Sequence, residues 1–293
     1  MAMPAYNIRT AVASSLDVLR ITRFLLALQE RCIPGGYIRA INYHGTPVGT
    51  AGQFERQLAF YARHFSSVSL QDLEAFLGGR RWDKVRPGLI ISFDDGLYSN
   101  YAVAAPLLEK HGFRGWFFIP VDFVAVEPSE QRRFAETHQI RLDGTVSPDG
   151  RVAMSWAELR DLHRRNHVIG CHTRTHRRMS PGLPDAVLEY EICAGKALLE
   201  ESLGSTCDCY CWVGGEEWTY TADAARAIRS AGYRYSFTTN SFPVTRAANG
   251  HRLDRSNVES EWSLARASFE LCGLQDVRST PARRRVARTI DAA

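Results

Sequence analysis

The sequence LIISFDDG at residues 89–96 joins an apolar run to two adjacent carboxylates and a glycine. The run at 89–93 has the length and composition of a buried β-strand. Asp94 and Asp95, at its end, are costly to bury unless something neutralises their charge, and a divalent metal ion would do so. The alternative is that they form a helix N-cap, with Gly96 as the turn residue.

Short strand-like runs alternate with helical stretches on both sides of this junction. Seven runs are predicted as strands, at residues 37–43, 89–93, 115–121, 167–171, 207–213, 233–238 and 252–258. Helices are predicted at 51–63, 70–77, 101–110, 156–165, 186–203, 221–231 and 262–271. Such alternation is typical of parallel strands joined by crossover helices. Without a glycine-rich phosphate loop, it predicts an α/β fold, a distorted (β/α)7-8 barrel, rather than an open dinucleotide-binding sheet.

The charge of the chain is concentrated at its C-terminus. The 293 residues carry a net charge of +4, and residues 277–293 contain five arginines against one aspartate, which accounts for the whole excess. The remaining chain is close to neutral, which argues against a nucleic-acid-binding domain. We expect one main domain at 37–276, an N-terminal helical extension at 1–36, and a flexible basic tail at 277–293.

Composition also indicates where the protein works. No stretch approaches the ~18–20 apolar residues of a membrane-spanning helix, and the N-terminus lacks the pattern of a secretory signal. The seven cysteines are scattered, which suits a reducing compartment. The cytoplasm is therefore the predicted location. An amphipathic helix at 8–30 packs on the body or lies on a membrane surface as a peripheral contact, and packing is the favoured alternative.

Catalytic residues of a parallel α/β barrel gather at the carboxyl ends of its strands. Here these positions collect Tyr43 and His44 after the first strand, the two aspartates after the second, and His172 with His176 after the fourth. The two histidines, four residues apart, would share a metal from one helical turn. Two histidines and one carboxylate leave coordination positions open, which indicates hydrolysis rather than a structural site.

Two of these segments resemble a known family. SFDDG at 92–96 and HTRTH at 172–176 are similar to the first two motifs of the polysaccharide deacetylases, also called the NodB-homology or carbohydrate esterase 4 family. The segments at 155–159 and 231–233 resemble it too, and the similarity extends from about Tyr37 to Asp276. The resemblance implies a metal-dependent N-deacetylase of an amino-sugar substrate. One divalent ion is implied, with zinc first and cobalt, nickel or manganese as alternatives.

The resemblance also assigns roles. Asp94 would be the general base, and Asp95 would bind the metal with His172 and His176. The leaving amine needs an acid, which the family often takes from a late Leu-x-His motif that is missing here. His44 is the candidate, because family members with circularly permuted motifs start with a similar Tyr-His. His251 is its competitor, and the alternative for His44 is a residue that only hydrogen-bonds to the site.

The third family motif is altered. The family expects an arginine that steadies the base, followed by a proline, but residues 209–215 read CYCWVGG, with Tyr210 at the arginine position and Trp212 at the proline position. This predicts a missing tether for the base. Trp212 and Trp218 are candidates for an apolar wall of the substrate site. Tyr43 and Arg174 are further candidate substrate contacts, the latter for an anionic group.

Other interpretations stay open. Cys207, Cys209 and Cys211 alternate along one strand face, so they form either a second metal site or, as favoured, core packing. The substrate is a carbohydrate or glycolipid: a polysaccharide, an oligosaccharide, or a lipid- or nucleotide-linked sugar. The same site would also suit a deformylase or a hydrolase of cyclic amides and imides. A catalytically weakened sugar-binding homologue is the remaining alternative, and the oligomeric state is not predicted.

Overall fold

The computed structural model describes residues 20–33 and 36–293. Its strands are β1 Ile38–Tyr43, β2 Ser66–Ser67, β3 Gly88–Phe93, β4 Gly115–Ile119, β5 Val168–Cys171, β6 Cys209–Cys211, β7 Tyr235–Thr238, β8 Leu253–Asp254 and β9 Ser256–Asn257. Its first six helices are α1 Ile21–Cys32, α2 Ala51–His64, α3 Leu70–Leu77, α4 Ala105–Lys110, α5 Val121–Ala125 and α6 Gln131–Thr137. The others are α7 Trp156–Arg164, α8 Asp185–Leu188, α9 Gly195–Leu203, α10 Ala222–Ser230, α11 Leu264–Leu271 and α12 Leu274–Asp291.

The strands form one sheet in the order β8-β7-β6-β5-β4-β3-β1-β9, with β2 added beside β3. Every strand pair is parallel. The two ends of this order, β8 and β9, are separated in sequence only by Arg255. The last strand segment therefore pairs with β7 on one side and β1 on the other, which brings the sheet almost to closure. The predicted α/β barrel is confirmed.

Side chains alternate between the inside of the barrel and the layer beneath the helices, as the period of a strand requires. The inner cluster contains Ile90, Trp116, Phe118, Cys211 and Phe237. The outer cluster contains the residues between them in sequence, packed against the helices; it includes Ile91, Phe93, Phe117, Tyr210 and Trp212. This alternation decides which residue at each strand end reaches the barrel mouth.

Two helices begin with a capping box that could be read from the sequence. Ser69 accepts a hydrogen bond from the backbone of Asp72, and the Asp72 carboxylate accepts one from the Ser69 backbone. Ser155 and Glu158 make the same exchange at the start of α7. Each box satisfies N–H groups that a helix start leaves unpaired, so it fixes where the helix begins.

The structure differs from the sequence predictions at both termini and in one connection. Residues 1–19 and 34–35 lie outside the described residues, and they include the first half of the helix expected at 8–30. The polar connection after β4 contains the short helices α5 and α6. At the C-terminus, α12 replaces the expected flexible tail, since Val286 and Ile290 bury one helix face against the body.

Two further global properties are visible. All seven cysteines are free thiols. None of the helices within residues 20–33 and 36–293 has the length and hydropathy needed to cross a membrane.

Candidate metal centre and catalytic site

The carboxyl ends of the strands surround a cavity of ≈ 490 Å³. His44, Asp94, Asp95, His172 and His176 all line it. The register of β1 and β3 pairs Tyr43 with Phe93, so His44 and Asp94 follow neighbouring strand ends. The structure thus brings together five of the six residues that the sequence placed at one rim, and Tyr43 is the exception.

The two adjacent aspartates point to different places. Asp94 continues β3, since its backbone N–H donates to the Tyr43 carbonyl at 2.9 Å. Asp95 has a φ of 74°, a left-handed conformation that is uncommon outside glycine. This turn brings Asp95 Oδ1 to 3.2 Å from Nε2 of His176 and 3.8 Å from Nε2 of His172.

The expected helical turn that would bring the histidines together is absent. The segment after β5 is a loop in which Thr173 and His176 have φ values of 64° and 61°. This loop, rather than helical spacing, places the two imidazole rings 5.2 Å apart between centroids. The i, i+4 spacing therefore pointed to the correct pair for a different structural reason.

The orientation of both imidazoles is fixed by backbone carbonyls. Nδ1 of His172 donates to the Cys211 carbonyl at 2.9 Å, and Nδ1 of His176 donates to the His138 carbonyl at 2.7 Å. Because a carbonyl only accepts, each neutral ring carries its proton on Nδ1 and leaves the Nε2 lone pair free. Such contacts commonly orient metal-binding histidines.

A divalent cation fits these donors. Asp95 Oδ1 is buried and has no hydrogen-bond partner among the described residues, although two imidazole Nε2 atoms face it. Ligand atoms of Asp95, His172 and His176 all lie within 4.8 Å of one another. Lone pairs that converge in this way repel each other unless a positive charge lies between them. One carboxylate with two imidazoles is a usual donor set for zinc and related ions.

The electrostatics of these donor residues agree with this description. Burial lowers the pKa of His172 to about 4, so its ring is neutral at physiological pH, the form that binds metals. Burial would raise the pKa of Asp95, but the neighbouring His176 outweighs it and holds that pKa well below its usual range. Asp95 is therefore a permanent carboxylate.

The base candidate Asp94 is held by an arginine that the sequence analysis missed. Arg255 donates from Nη1 to Asp94 Oδ1 at 2.7 Å and from Nη2 to Asp94 Oδ2 at 2.8 Å. Burial would raise the pKa of Asp94, but the charge and hydrogen bonds of Arg255 lower it below its usual value. The tether expected from the third motif on β6 thus comes from the last strand segment. The sequence signal that could have identified this residue is an arginine within the otherwise strand-like run at 252–258.

The candidate acid His44 has a carboxylate partner of its own. Its Nδ1 donates to Glu259 Oε1 at 3.2 Å. Burial would lower the His44 pKa, but this hydrogen bond and the charges of Asp95 and Asp94 raise it to about 9. His251 precedes β8 and so lies toward the amino ends of the strands, away from the cavity. The geometry thus favours His44 over His251 as the acid.

Three of the four predicted substrate contacts, Tyr43, Trp212 and Arg174, lie away from the cavity wall. Tyr43 is fully buried in the outer layer, where its hydroxyl contacts Gln57 at 2.7 Å. Trp212 is buried there too, and Arg174 pairs with Asp122 at 2.9 Å. Strand alternation explains the first two, because Asn42 and Cys211 occupy the inward positions beside them.

Within the described residues, the three cysteines of the segment at 207–211 do not gather into one ligand group. Cys207, Cys209 and Cys211 are buried, and no potential ligand group within the described residues contains two of them. Cys211 instead borders the catalytic residues: its Sγ accepts a hydrogen bond from Arg255 Nη2 at 2.8 Å. Its small side chain leaves room for the arginine from the opposite strand.

The fold and this site together define an α/β barrel whose strand ends gather a buried carboxylate, Asp94, and a candidate metal-binding triad. The sequence matches the family described as polysaccharide deacetylase over residues 83–236, just over half of the 293 residues. The chain belongs to the polysaccharide deacetylase family. It is accordingly a hydrolase of amide bonds, as predicted.

Solved structures share the fold at low sequence identity. The Streptococcus pyogenes deacetylase PplD, in complex with acetate, is 16% identical with a TM-score of 0.62, covering 78% of this chain and 96% of that one. IcaB from Ammonifex degensii is 21% identical with a TM-score of 0.60, covering 82% and 97%. The BpsB deacetylase domain from Bordetella bronchiseptica is 18% identical with a TM-score of 0.58, covering 78% and 97%. No curated protein matches the sequence significantly.

Proposed function

We propose that the protein is a metal-dependent N-deacetylase that removes the acetyl group from an amino sugar in a glycan or glycolipid. The observation that carries the proposal is the convergence of Asp95 Oδ1 with Nε2 of His172 and His176, beside the arginine-held Asp94. Family membership supports the reaction class. A bound acetate in the structure of PplD supports acetyl as the acyl group.

The protein side chains have separable tasks in this reaction. Asp95, His172 and His176 would hold the ion, which when bound polarises an amide carbonyl and lowers the pKa of water. Asp94 is not needed as a ligand, because Arg255 occupies both of its oxygens and keeps it ionised. It therefore acts as the general base that removes a proton from the attacking water.

The leaving nitrogen needs a proton, and His44 supplies it. Its Nδ1 proton is committed to Glu259, so Nε2 is the nitrogen available to the substrate. The raised pKa keeps this imidazole protonated near neutral pH, as a general acid requires. Base and acid thus lie at neighbouring strand ends and line one cavity.

The cellular location belongs to the same proposal. Seven free thiols support a reducing compartment, and we place the reaction in the cytoplasm. A peripheral membrane contact through α1 would suit a lipid-linked sugar, since Phe24 and Leu28 of that helix are exposed.

An acyl-release assay tests the function. The metal-loaded protein is incubated with N-acetyl and N-formyl amino sugars, both free and polymeric, and acetate and formate are quantified. Acetate release that stops with a chelator and is absent in Asp94→Asn supports the proposal. Formate release alone would assign a deformylase, and release of neither acid from any sugar would contradict the proposal.

A further inference from the structure

The loop after β5, at residues 172–176, carries two of the three candidate metal ligands in a strained conformation. Thr173 and His176 have φ values of 64° and 61°, in the left-handed region that side chains rarely adopt. Thr173 is also β-branched and completely buried, which makes this conformation less favourable still. Such a backbone persists only where neighbouring groups hold it in place. The loop therefore needs contacts that fix it.

One buried carboxylate supplies three of these contacts. Glu191 Oε2 accepts hydrogen bonds from the backbone N–H groups of Arg174 and Thr175 at 3.1 and 2.9 Å. Its Oε1 accepts one from the Thr175 hydroxyl at 2.6 Å. Glu191 is 2% exposed, and its side-chain hydrogen bonds within the described residues all go to this loop. A buried carboxylate is costly unless hydrogen bonds satisfy it, so the loop and Glu191 stabilise each other.

The opposite side of the loop is held by backbone groups. The N–H groups of Val121 and Asp122, at the start of α5, donate to the carbonyls of Thr173 and Arg174 at 3.2 and 2.8 Å. Arg174 is thereby hydrogen-bonded through both its N–H and its carbonyl. Because the contacts with α5 involve no side chain, Glu191 is the point at which a substitution can release the loop.

The helical stretch that carries Glu191 is irregular at this residue. Residues Glu189–Ala194 form a π-helical segment between α8 and α9. The hydrogen bonds of such a segment span one residue more than those of an α-helix, and π-helical segments are rare and frequently lie at functional sites. Here the irregular segment contains the residue that contacts the metal-binding loop.

We propose that Glu191 is a positioning residue of the metal centre, which holds the loop in the conformation that directs His172 and His176 toward Asp95. The inference rests on the metal centre of the proposed function and deepens it. Glu191 acts through the loop backbone and does not itself bind the ion. A loop released from Glu191 would adopt other conformations, and the apparent metal affinity falls with the fraction of molecules in the binding conformation.

The first test measures the dissociation constant for Zn²⁺ by competition with a chelator. Glu191→Ala should weaken zinc binding about 10- to 100-fold, the usual effect of removing a group that orients a metal ligand. Glu191→Gln should retain most of the affinity, because its amide oxygen can accept both N–H groups and its nitrogen can donate to the Thr175 hydroxyl.

Glu200→Ala is the matched control. Glu200 lies on α9, and its carboxylate also accepts a backbone N–H, that of Cys207 at 2.8 Å. This variant should lower the free energy of unfolding and leave zinc affinity unchanged. Thr175→Val removes only one of the three bonds to Glu191 and should weaken zinc binding about three- to tenfold, which keeps the test decisive if Glu191→Ala does not fold.

A second test needs no metal. Amide hydrogen exchange of the metal-free protein, followed by mass spectrometry, measures whether the loop is held. The peptide that covers residues 172–178 should exchange faster in Glu191→Ala than in the wild type, because two of its N–H groups lose their acceptor. The same peptide in Glu200→Ala should exchange as in the wild type.

The outcomes separate this inference from the proposed function. Zinc binding by the wild type with equal affinity in Glu191→Ala would overturn the inference alone, as would equal losses of affinity in Glu191→Ala and Glu200→Ala. Unchanged exchange of the loop in Glu191→Ala would also contradict it. Absence of zinc binding by the wild type would overturn the metal centre of the proposed function and this inference with it.

Discussion

Arg255, which lies between β8 and β9 where the sheet closes, donates to both carboxylate oxygens of Asp94, at 2.7 and 2.8 Å. The two residues are 161 positions apart in sequence and both are almost fully buried. Arg255 Nη1 also donates to Ser92 Oγ at 2.9 Å, so the guanidinium bridges the inner face of β3. The base is thereby fixed in position as well as in charge.

Replacing this arginine should therefore impair turnover more than metal binding. Arg255→Lys keeps a positive charge but cannot contact both oxygens in a planar fork. We expect kcat to fall roughly 10- to 100-fold, because small misplacements of a catalytic group have effects of this size. Metal content, measured by elemental analysis, should not change. Arg174→Lys, in an ion pair away from the cavity, is the control, and equal kcat in both variants would contradict the positioning role.

Removing the charge of Asp94 should affect turnover, whereas removing the charge of Asp95 should affect metal binding. Asp95→Asn removes a ligand oxygen and should weaken metal affinity, measured by competition with a chelator. Asp94→Asn should keep the metal and lower kcat by roughly 10²–10⁴, the usual contribution of a general base. If Asp94→Asn emptied the site while Asp95→Asn kept its metal, the two roles would be reversed.

His44 should be needed for proton donation. Its removal in His44→Ala should leave folding and metal content intact and lower kcat by roughly 10²–10⁴. His251→Ala, at the other end of the barrel, should have near-normal kcat. The opposite pattern in steady-state kinetics would transfer the acid to His251.

The pH profile should reveal the Glu259 contact. A general acid must be protonated, so activity is lost as the pH rises through the His44 pKa. Glu259 contributes to raising that pKa to about 9, and Glu259→Gln removes the negative charge. The alkaline limb of kcat/KM against pH should therefore move to lower pH in the variant. An unmoved limb would show that another group limits the rate there.

Acid stability should depend on His167, which lies outside the catalytic site. Its Nδ1 accepts from the Gly115 backbone at 2.8 Å, its Nε2 donates to Glu109 at 3.0 Å, and burial lowers its pKa. The unfolded histidine takes up a proton at about pH 6.5, so this contribution is complete above that pH and is lost as the pH falls toward the folded-state pKa.

Urea unfolding at about pH 7.5 and about pH 5.5 measures this dependence. His167→Gln can keep both contacts without titrating, and it should show a smaller difference in unfolding free energy between the two pH values than the wild type. Equal differences in the two proteins would rule out this residue as the source.

Much of the fold could be predicted because its signals are local. Buried strands appear as apolar runs, and the predicted bounds of α3 agree with the structure, where a capping box of Ser69 and Asp72 fixes the start of the helix. The helix α12 escaped prediction, since an arginine-rich segment with only Val286 and Ile290 buried has no clear apolar face. Its order depends on packing against distant parts of the chain.

The candidate site likewise has a part that local sequence signals predict and a part that they do not. Residues at strand ends were found because a single rule places them at one rim, and the family motifs identified them independently. The Arg255 tether and the Glu259 partner of His44 depend on which strand segment closes the sheet, which is non-local information. The sequence does not show which residues of a strand face the inside of the barrel and which face the helices. A shift of one residue along the strand exchanges the two faces, and Tyr43 and Trp212 were assigned to the substrate for this reason.

Metal content tests the central claim most directly. Elemental analysis of the purified wild-type protein should find about one divalent ion per chain, the stoichiometry of a single three-ligand site. The His172→Ala/His176→Ala double variant should lose it, because only Asp95 remains of the triad. His163→Ala, an exposed histidine on α7, should retain it. Full retention of metal by the double variant would contradict the proposed centre.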